Sequence, residues 1–547
     1  MYLLLILMII VSLIAYYRVE IQINIGPMWD TYDFLSNALL FSGNGIGYSD
    51  LNRPPVLPFL TSIFFRLGYI SETAIFAVDG FFMVVGAIGL YLLFKLRFNH
   101  MISFLGSLLF STFPIIVLFS GAGLSDIPSV SLTIWAFYFM VMAIKKSSKY
   151  FYLAFPTIMI AFLTRYTAGL VLFPFLLYLL INKQVLKNQK DIFIGIFCSI
   201  LVLIPVLFFF YNTFGNPFYS FQSFFSSGSA NLGTAENYYY QPDLLYYLKH
   251  LISYIGPAGI VVILIILLGI VIYGFFGINE IKKGCKKIFS RIHMNKEFRI
   301  RILVFLILTL IFIFTFSNVN FVFSEVIFFF LCLVSYKLVE GLEIKYLEMN
   351  FLFLSWFMTF FIFHSIFTIK DDRYFVTMAP ATAYFLILGF NEIFNRLKHK
   401  IKDKNLISTL LPLILIAIML VSTINYIPGI INNNEPTKEK VEMSILASNW
   451  LKNYDPDYKN KIIYADYWSY FSWHLKMDVK PMLVYKDGKV YSYQLKDYRV
   501  DKLSNIGYNT ELNENNADYY FSNRKGLNLT YYKPIKQFGF ITLYQRI

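Results

Sequence analysis

The sequence predicts an α-helical polytopic membrane protein of about thirteen spans, followed by a C-terminal α/β or α+β domain. Three observations predict it. The 547-residue chain is 57% hydrophobic and only 15% charged, whereas soluble domains are about one-quarter charged. Apolar runs long enough to cross a bilayer as helices, roughly 17–25 residues, recur as far as about residue 427. From 437 to 547 the composition changes, with 17 Lys+Arg and 12 Asp+Glu set among short alternating stretches.

The apolar runs lie near 2–17, 72–94, 101–120, 127–144, 150–164, 167–182, 192–211, 252–277, 302–317, 321–337, 350–369, 374–394 and 406–427. In lipid, backbone groups must satisfy one another, so each run reads as a helix. The opening "MYLLLILMIIVSLIAYY" has neither a basic leader nor a small-residue cleavage site, and reads as a retained span. Segment 54–68, "PPVLPFLTSIFFRLG", is apolar but short and opens with prolines, which suits a helix lying in the interface. Loop 212–250, rich in Asn, Ser, Gly and Tyr, reads as a mobile loop near the membrane surface. Residues 1–428 thus form a membrane domain with two large loops, 18–71 and 212–250, and 437–547 form a soluble domain. In the latter, "VEMSILASNWLKNY" has helical periodicity, while "KNKIIYADYW", "KPMLVYKDG", "DGKVYSYQL", "ADYYFSN" and "FGFITLYQRI" read as strands. "DYWSYFSWH" reads as a sheet edge or a carbohydrate-facing surface.

The inter-span loops divide into two sets. One holds 23 Lys+Arg; the other, counted with 18–71, holds seven: Arg18, Arg53, Arg66, Arg165, Lys249, Lys370 and Arg373. Positive charge collects on the cytoplasmic side. The N-terminus is therefore expected inside, with 18–71, the turn at Asp126, 212–250, "KDDRY" and the C-terminal domain outside. The net charge of +14 is then a matter of topology, and nucleic acid is excluded as a partner. Cys198, Cys285 and Cys332 lie in spans or a cytoplasmic loop, so no extracytoplasmic disulfide is expected. "NLT" at 528–530 is a chance sequon match.

Three polar clusters fall on the expected outer side: Asp30 with Asp33, Asp126, and Lys370 to Arg373. Ionisable groups at membrane depth or at its rim are costly and point to function. Asp371, Asp372 and Lys370 read as ordinary loop residues in water. Asp33 is evenly balanced between a solvated helix residue and a second carboxylate, one helical turn from Asp30. Asp79 and Glu325 read as satisfied interior groups. His364, just before the Arg373 cluster, is an interior residue or a substrate contact.

The stretch from Gly26 to Gly68 resembles the first external loop of GT-C membrane glycosyltransferases, the group of the aminoarabinose transferases and protein O-mannosyltransferases. Trp29-Asp30 stands at the external Asp, Ala38 and Leu39 in the following helix, and Pro54-Pro55 to Gly68 at the juxtamembrane helix. Thr31 replaces the usual Glu. The resemblance continues through "SETAIFAVDGFFMVVGAIGLYLLFKLRF" and "STFPIIVLFSGAGLSDIPSV", with the second acid at Asp126. It runs on through "LAFPTIMIAFLTRYTAGL", with Arg165 in the basic place, and "DDRYFVTMAP", with Arg373 and Tyr374 at the RY motif.

The resemblance implies transfer of a sugar from a polyprenyl-phosphate donor to an acceptor hydroxyl on a protein, lipid or glycan, with inversion. It gives Asp30 the role of general base and Arg373 that of donor-phosphate ligand, helped by Lys370 and Arg165. Asp126 would bind substrate, support Asp30, or join it around a divalent metal such as Mg or Mn; no cofactor is required by these residues. Asp33, Tyr374 and His364 are supporting candidates. Arg53 could also meet a phosphate, but anchoring at the interface is its preferred assignment. A secondary transporter or flippase is the alternative, although no internal repeat is visible and the polar marks lie at one face instead of the midplane.

Overall fold

Each of the thirteen apolar segments contains helix in the computed structural model. The structure describes residues 2–183, 187–230, 235–276, 296–342, 344–400, 404–496 and 498–547. The helices are α1 (Tyr2–Ile25), α2 (Trp29–Phe41), α3 (Val56–Arg66), α4 (Glu72–Lys95), α5 (His100–Ser111), α6 (Pro114–Phe119) and α7 (Asp126–Lys145). They continue with α8 (Phe151–Thr164), α9 (Leu172–Ile181), α10 (Gln189–Phe214), α11 (Tyr219–Ala230), α12 (Tyr246–Lys249) and α13 (Leu251–Phe276). Then come α14 (Lys296–Thr315), α15 (Phe321–Val339), α16 (Leu347–Ile366), α17 (Ala379–Lys400) and α18 (Lys404–Asn433). Among the described residues, nine helices are long and apolar enough to cross a membrane. With its 11 residues α3 is too short to do so.

The differences from the sequence reading have physical causes. The first helix runs on to Ile25, because Arg18 is a buried helix residue and not a loop charge. Its guanidinium donates to the carbonyls of Val117 and Leu118 and to Gln22, so the polar group breaks the apolar run without ending the helix. The 101–120 run is two helices, α5 and α6, joined at Thr112-Phe113, with Pro114 opening the second; proline lacks the N–H that would continue the first. The 167–182 run opens as a 3-10 turn, Tyr166–Val171. Loop 212–250 contains α11, and its residues 236–241 pair with Gln494–Lys496 and Thr368–Lys370. Cys198 and Cys332 are unpaired; Cys285 lies outside the described residues.

The C-terminal domain begins with α19 (Glu435–Tyr454), whose Pro436 lies in the first turn. A five-stranded sheet follows in the order β2-β1-β5-β7-β6, with β1 (Ile463–Ala465), β2 (Lys480–Pro481), β5 (Tyr519–Ser522), β6 (Tyr532–Phe538) and β7 (Ile541–Arg546). Strand β1 runs parallel to β2 and β5, and β7 pairs antiparallel with β5 and β6. A separate hairpin joins β3 (Val484–Lys486) to β4 (Lys489–Tyr491). Between β1 and β2 lies α20 (Trp468–Leu475), and before β5 lies α21 (Lys502–Glu514). "DYWSYFSWH" is therefore mostly helix, not a sheet edge.

This domain is docked, not tethered. A single apolar core joins Tyr32, Leu35 and Leu39 of α2 and Leu57 and Phe65 of α3 to Tyr470, Phe471 and Trp473 of α20 and Ala447 of α19. Each such side chain contributes on the order of 1.5–3 kcal/mol by leaving water. The buried face of α20 packs against α2.

Candidate active site

Asp30 lies in the first turn of α2, and both of its carboxylate oxygens meet an arginine. Arg373 Nη1 stands 2.6 Å from Oδ2 and Arg53 Nη2 stands 3.0 Å from Oδ1. Burial would raise this carboxyl, but the two guanidiniums outweigh it and hold Asp30 well below the usual carboxylate range. Arg373 sits in a 3-10 turn, Asp372–Thr377, capped by Asp371, whose carboxylate accepts from the Arg373 backbone N–H at 3.0 Å. The same Asp371 lies 3.1 Å from Arg373 Nε, and Asp372 accepts from the hydroxyls of Tyr246 and Tyr254 at 2.9 and 2.6 Å.

Asp126 opens α7 and is 1% exposed, with Arg165 Nη1 2.6 Å from its Oδ1. Its Oδ2 is buried without a hydrogen-bond partner among the described residues. Arg165 and Arg373 both lie over the ring of Tyr374, at 5.6 and 5.7 Å from its centroid. His364 stacks on the same ring at 4.7 Å, and neither of its nitrogens finds a hydrogen-bond partner among the described residues. Tyr374 is thus the hub that gathers Asp30–Arg373, Asp126–Arg165 and His364 into one site.

Thr31, where the family resemblance leads one to expect Glu, donates through Oγ1 to the carbonyl of Ala122 at 3.2 Å. This bond ties α2 to the turn that carries Asp126. The close approach needs a glycine: Gly123 has φ +75°, and a Cβ there would meet Thr31 Cγ2 at 2.6 Å. Asp79, fully buried in α4, accepts from the backbone N–H groups of Gly123 and Leu124 at 2.9 and 3.3 Å, and so holds the same turn from beneath.

Two assignments change. Arg53 is engaged by carboxylates. It bridges Asp30 and Asp33 through Nη2, the latter at 2.7 Å, and meets Asp50 through Nε at 3.0 Å. Lys370 is neither a solvated loop residue nor free to hold a phosphate. It is buried, and its ammonium donates to the carbonyls of His364, Ser365 and Phe367 at the end of α16. A cation there satisfies orphan carbonyls and complements the helix dipole. Lys370→Ala is expected to lower stability by roughly 1–3 kcal/mol, the cost of leaving those acceptors unpaired, measured by thermal unfolding in detergent.

Asp33 is 2% exposed and makes two polar contacts, with Tyr48 Oη at 2.5 Å and with Arg53. Burial pushes its carboxyl up to about 7, against the pull of Arg53 and Tyr48. An unfolded Asp titrates near 3.9, so between about pH 4 and 7 the folded chain holds a proton that the unfolded chain lacks. Stability contributed by Asp33 therefore falls as pH rises through that window. The melting temperature of Asp33→Asn should lack this part of the decline, measured beside wild type across the window.

A divalent ion shared by Asp30 and Asp126 would have to displace arginines from both carboxylates. Guanidiniums occupy both oxygens of Asp30 and one of Asp126. Among the described residues no three His, Cys, Asp or Glu side chains gather as ligands.

Comparison with known proteins places the fold. The family model described as dolichyl-phosphate-mannose-protein mannosyltransferase matches residues 52–209. No curated protein matches in sequence. Among solved structures, ArnT from Cupriavidus metallidurans bound to undecaprenyl phosphate superposes with a TM-score of 0.60, at 10% identity, covering 99% of this chain and 98% of its own. The chain has the GT-C fold. ArnT in the apo state matches equally, with a TM-score of 0.60 at 11% identity and the same coverage. The archaeal oligosaccharyltransferase AglB from Archaeoglobus fulgidus, solved with an inhibitory peptide and a dolichol-phosphate, gives 0.51 at 14% identity, over 95% of this chain and 69% of its own. In this chain, a multi-pass membrane protein, Asp30, Asp126, Arg165 and the Arg373-Tyr374 pair come together from four separate segments. Tyr48, Asp50 and Trp468, which carry no motif, join them.

Proposed function

We propose that the chain is a membrane glycosyltransferase that moves a sugar from a polyprenyl-phosphate donor to an acceptor hydroxyl, with inversion. The observation that carries the reading is the Asp30–Arg373 pair at 2.6 Å. The acceptor oxygen attacks the anomeric carbon and gives its proton to Asp30, while the bond from that carbon to the phosphate oxygen breaks. The electron pair leaves on the phosphate, whose growing charge Arg373 neutralises.

A carboxylate held so low by two arginines is a poor base. The donor resolves this. Its phosphate competes with Asp30 for Arg373, and each contact it takes from the carboxylate returns basicity to Asp30. The base is thus switched on when the donor is in place. Asp126, with one oxygen unpartnered, receives a hydroxyl of donor or acceptor. Arg165 pairs with Asp126 at 2.6 Å and stands near enough to help with the phosphate. No step passes through a metal.

The Lys/Arg imbalance between loops, 23 against six once Arg18, buried within α1, is set aside, supports an N-terminus in the cytoplasm and a C-terminal domain outside. The acceptor, whether protein, lipid or glycan, would then be met on the outer face, and the lipid tail of the donor would enter from the bilayer. These polar groups lie at helix ends, not at span midpoints as a transporter would place them.

The test is turnover by purified protein across a panel of polyprenyl-phosphate sugars, read as release of polyprenyl phosphate and labelled product. Consumption of at least one donor is expected. Vesicle uptake of a lipid-linked or small solute with no donor consumed would replace the enzyme with the transporter.

A further inference from the structure

Asp33, Tyr48 and Trp468 take no part in the transfer step, yet they form an unbroken polar chain from the C-terminal domain to Asp30. Trp468, at the start of α20, donates through Nε1 to Tyr48 Oη at 3.2 Å. An indole can only donate, so the Tyr48 proton is left for Asp33, whose Oδ1 it meets at 2.5 Å. The other oxygen of Asp33 holds Arg53 Nη2 at 2.7 Å, and that nitrogen also reaches Asp30 at 3.0 Å. Trp468 makes a second contact with the same place: its ring meets Trp29, the residue before Asp30, edge-on at 4.6 Å.

Arg53 is the weak point that this chain secures. Three carboxylates, Asp30, Asp33 and Asp50, compete for one guanidinium. The site keeps its shape only if Asp33 is held still, because Asp33 decides where Nη2 lies. Its own helix cannot do this alone. The group that fixes it, Tyr48, comes from a loop and is oriented by the C-terminal domain.

We infer that Trp468, acting through Tyr48 and Asp33, positions Arg53 against Asp30, so that the C-terminal domain is a working part of the transfer site. The inference rests on the glycosyltransferase reading. Trp468, Tyr48 and Asp33 are positioning residues. Their loss should slow the step at Asp30 without weakening the hold on donor phosphate, which belongs to Arg373.

The test is a double-mutant cycle with Trp468→Phe and Tyr48→Phe, which keep an aromatic side chain and remove the polar atom; Trp468→Phe also shrinks the ring that meets Trp29. Each single variant should lose about 10-fold in kcat, the effect of one hydrogen bond, with donor KM unchanged. The double variant should be no slower than the slower single one, because both cut the same chain. Trp473→Phe is the control. It removes another hydrogen bond across the same domain contact, from Nε1 to Glu72 at 2.6 Å, and should lower the melting temperature but leave kcat alone. Wild-type kcat in Trp468→Phe, losses that multiply in the double variant, or a matching kcat loss in Trp473→Phe would each overturn the relay while leaving the enzyme reading intact. If wild type consumes no donor, the enzyme reading falls. The relay is then judged by melting temperatures alone: non-additive shifts in the cycle support the chain of contacts, and additive shifts overturn it.

Discussion

Asp30→Asn is expected to lower kcat for sugar transfer by about 10²- to 10⁴-fold, the usual worth of a positioned general base, and at the same time to tighten donor binding. The two effects have one origin. In the resting site Asp30 Oδ2 holds Arg373 at 2.6 Å, so a donor phosphate must compete with a carboxylate for its own ligand. An amide accepts a hydrogen bond but carries no charge, and Arg373 becomes easier to recruit. Turnover falls because the amide cannot take the acceptor proton, while the affinity for polyprenyl phosphate rises. Single-turnover kinetics with labelled donor, beside equilibrium binding of polyprenyl phosphate, separates them. Loss of rate with loss of binding would make Asp30 a structural partner of the arginines. Loss of neither would remove it from the site.

The parts of this molecule that were legible in the sequence are those written in local pattern. Length and apolarity mark a helix wherever it lies in the chain: each of the thirteen segments contains one, and among the described residues nine helices are long and apolar enough to cross a membrane. Residues whose roles can be argued from their own neighbours also stood out: Asp30 beside Trp29, Asp126 at a helix start, Arg373 before Tyr374. What local pattern cannot carry is partnership. Asp30 and Arg373 are 343 residues apart, and nothing in either stretch says that they touch. Arg53 reads as an anchor because its own stretch contains prolines and apolar residues; Asp50 is three residues away, but Asp30 and Asp33 lie on α2 and meet it only in the fold. Arg18 and Lys370 read as loop charges because a positive residue at a span end looks the same in sequence whether it faces water or caps a carbonyl. Trp468 was least legible of all. Its indole matters through a tyrosine 420 residues away, in a stretch, "NGIGYSD", that matches no motif.

Arg373→Ala carries the second large effect, and its sign is set by two opposed terms. Removing the guanidinium releases one oxygen of Asp30, so the carboxyl rises from its depressed position and becomes a better base. By itself that would speed proton removal modestly. The leaving phosphate, however, loses the cation that neutralises it, and removal of a fixed charge-stabilising donor costs about 10²- to 10³-fold in kcat. The second term is the larger, so kcat should fall by about 10²-fold, with weaker donor binding instead of the tighter binding expected for Asp30→Asn. The first term still leaves a trace: the acidic limb of the pH–rate profile should move to higher pH, because Asp30 now protonates more readily. Arg373→Lys should recover part of the rate, since a point charge replaces the fork without its two-sided geometry. Tighter donor binding in Arg373→Ala, or an acidic limb that stays where wild type has it, would break the link between the two residues.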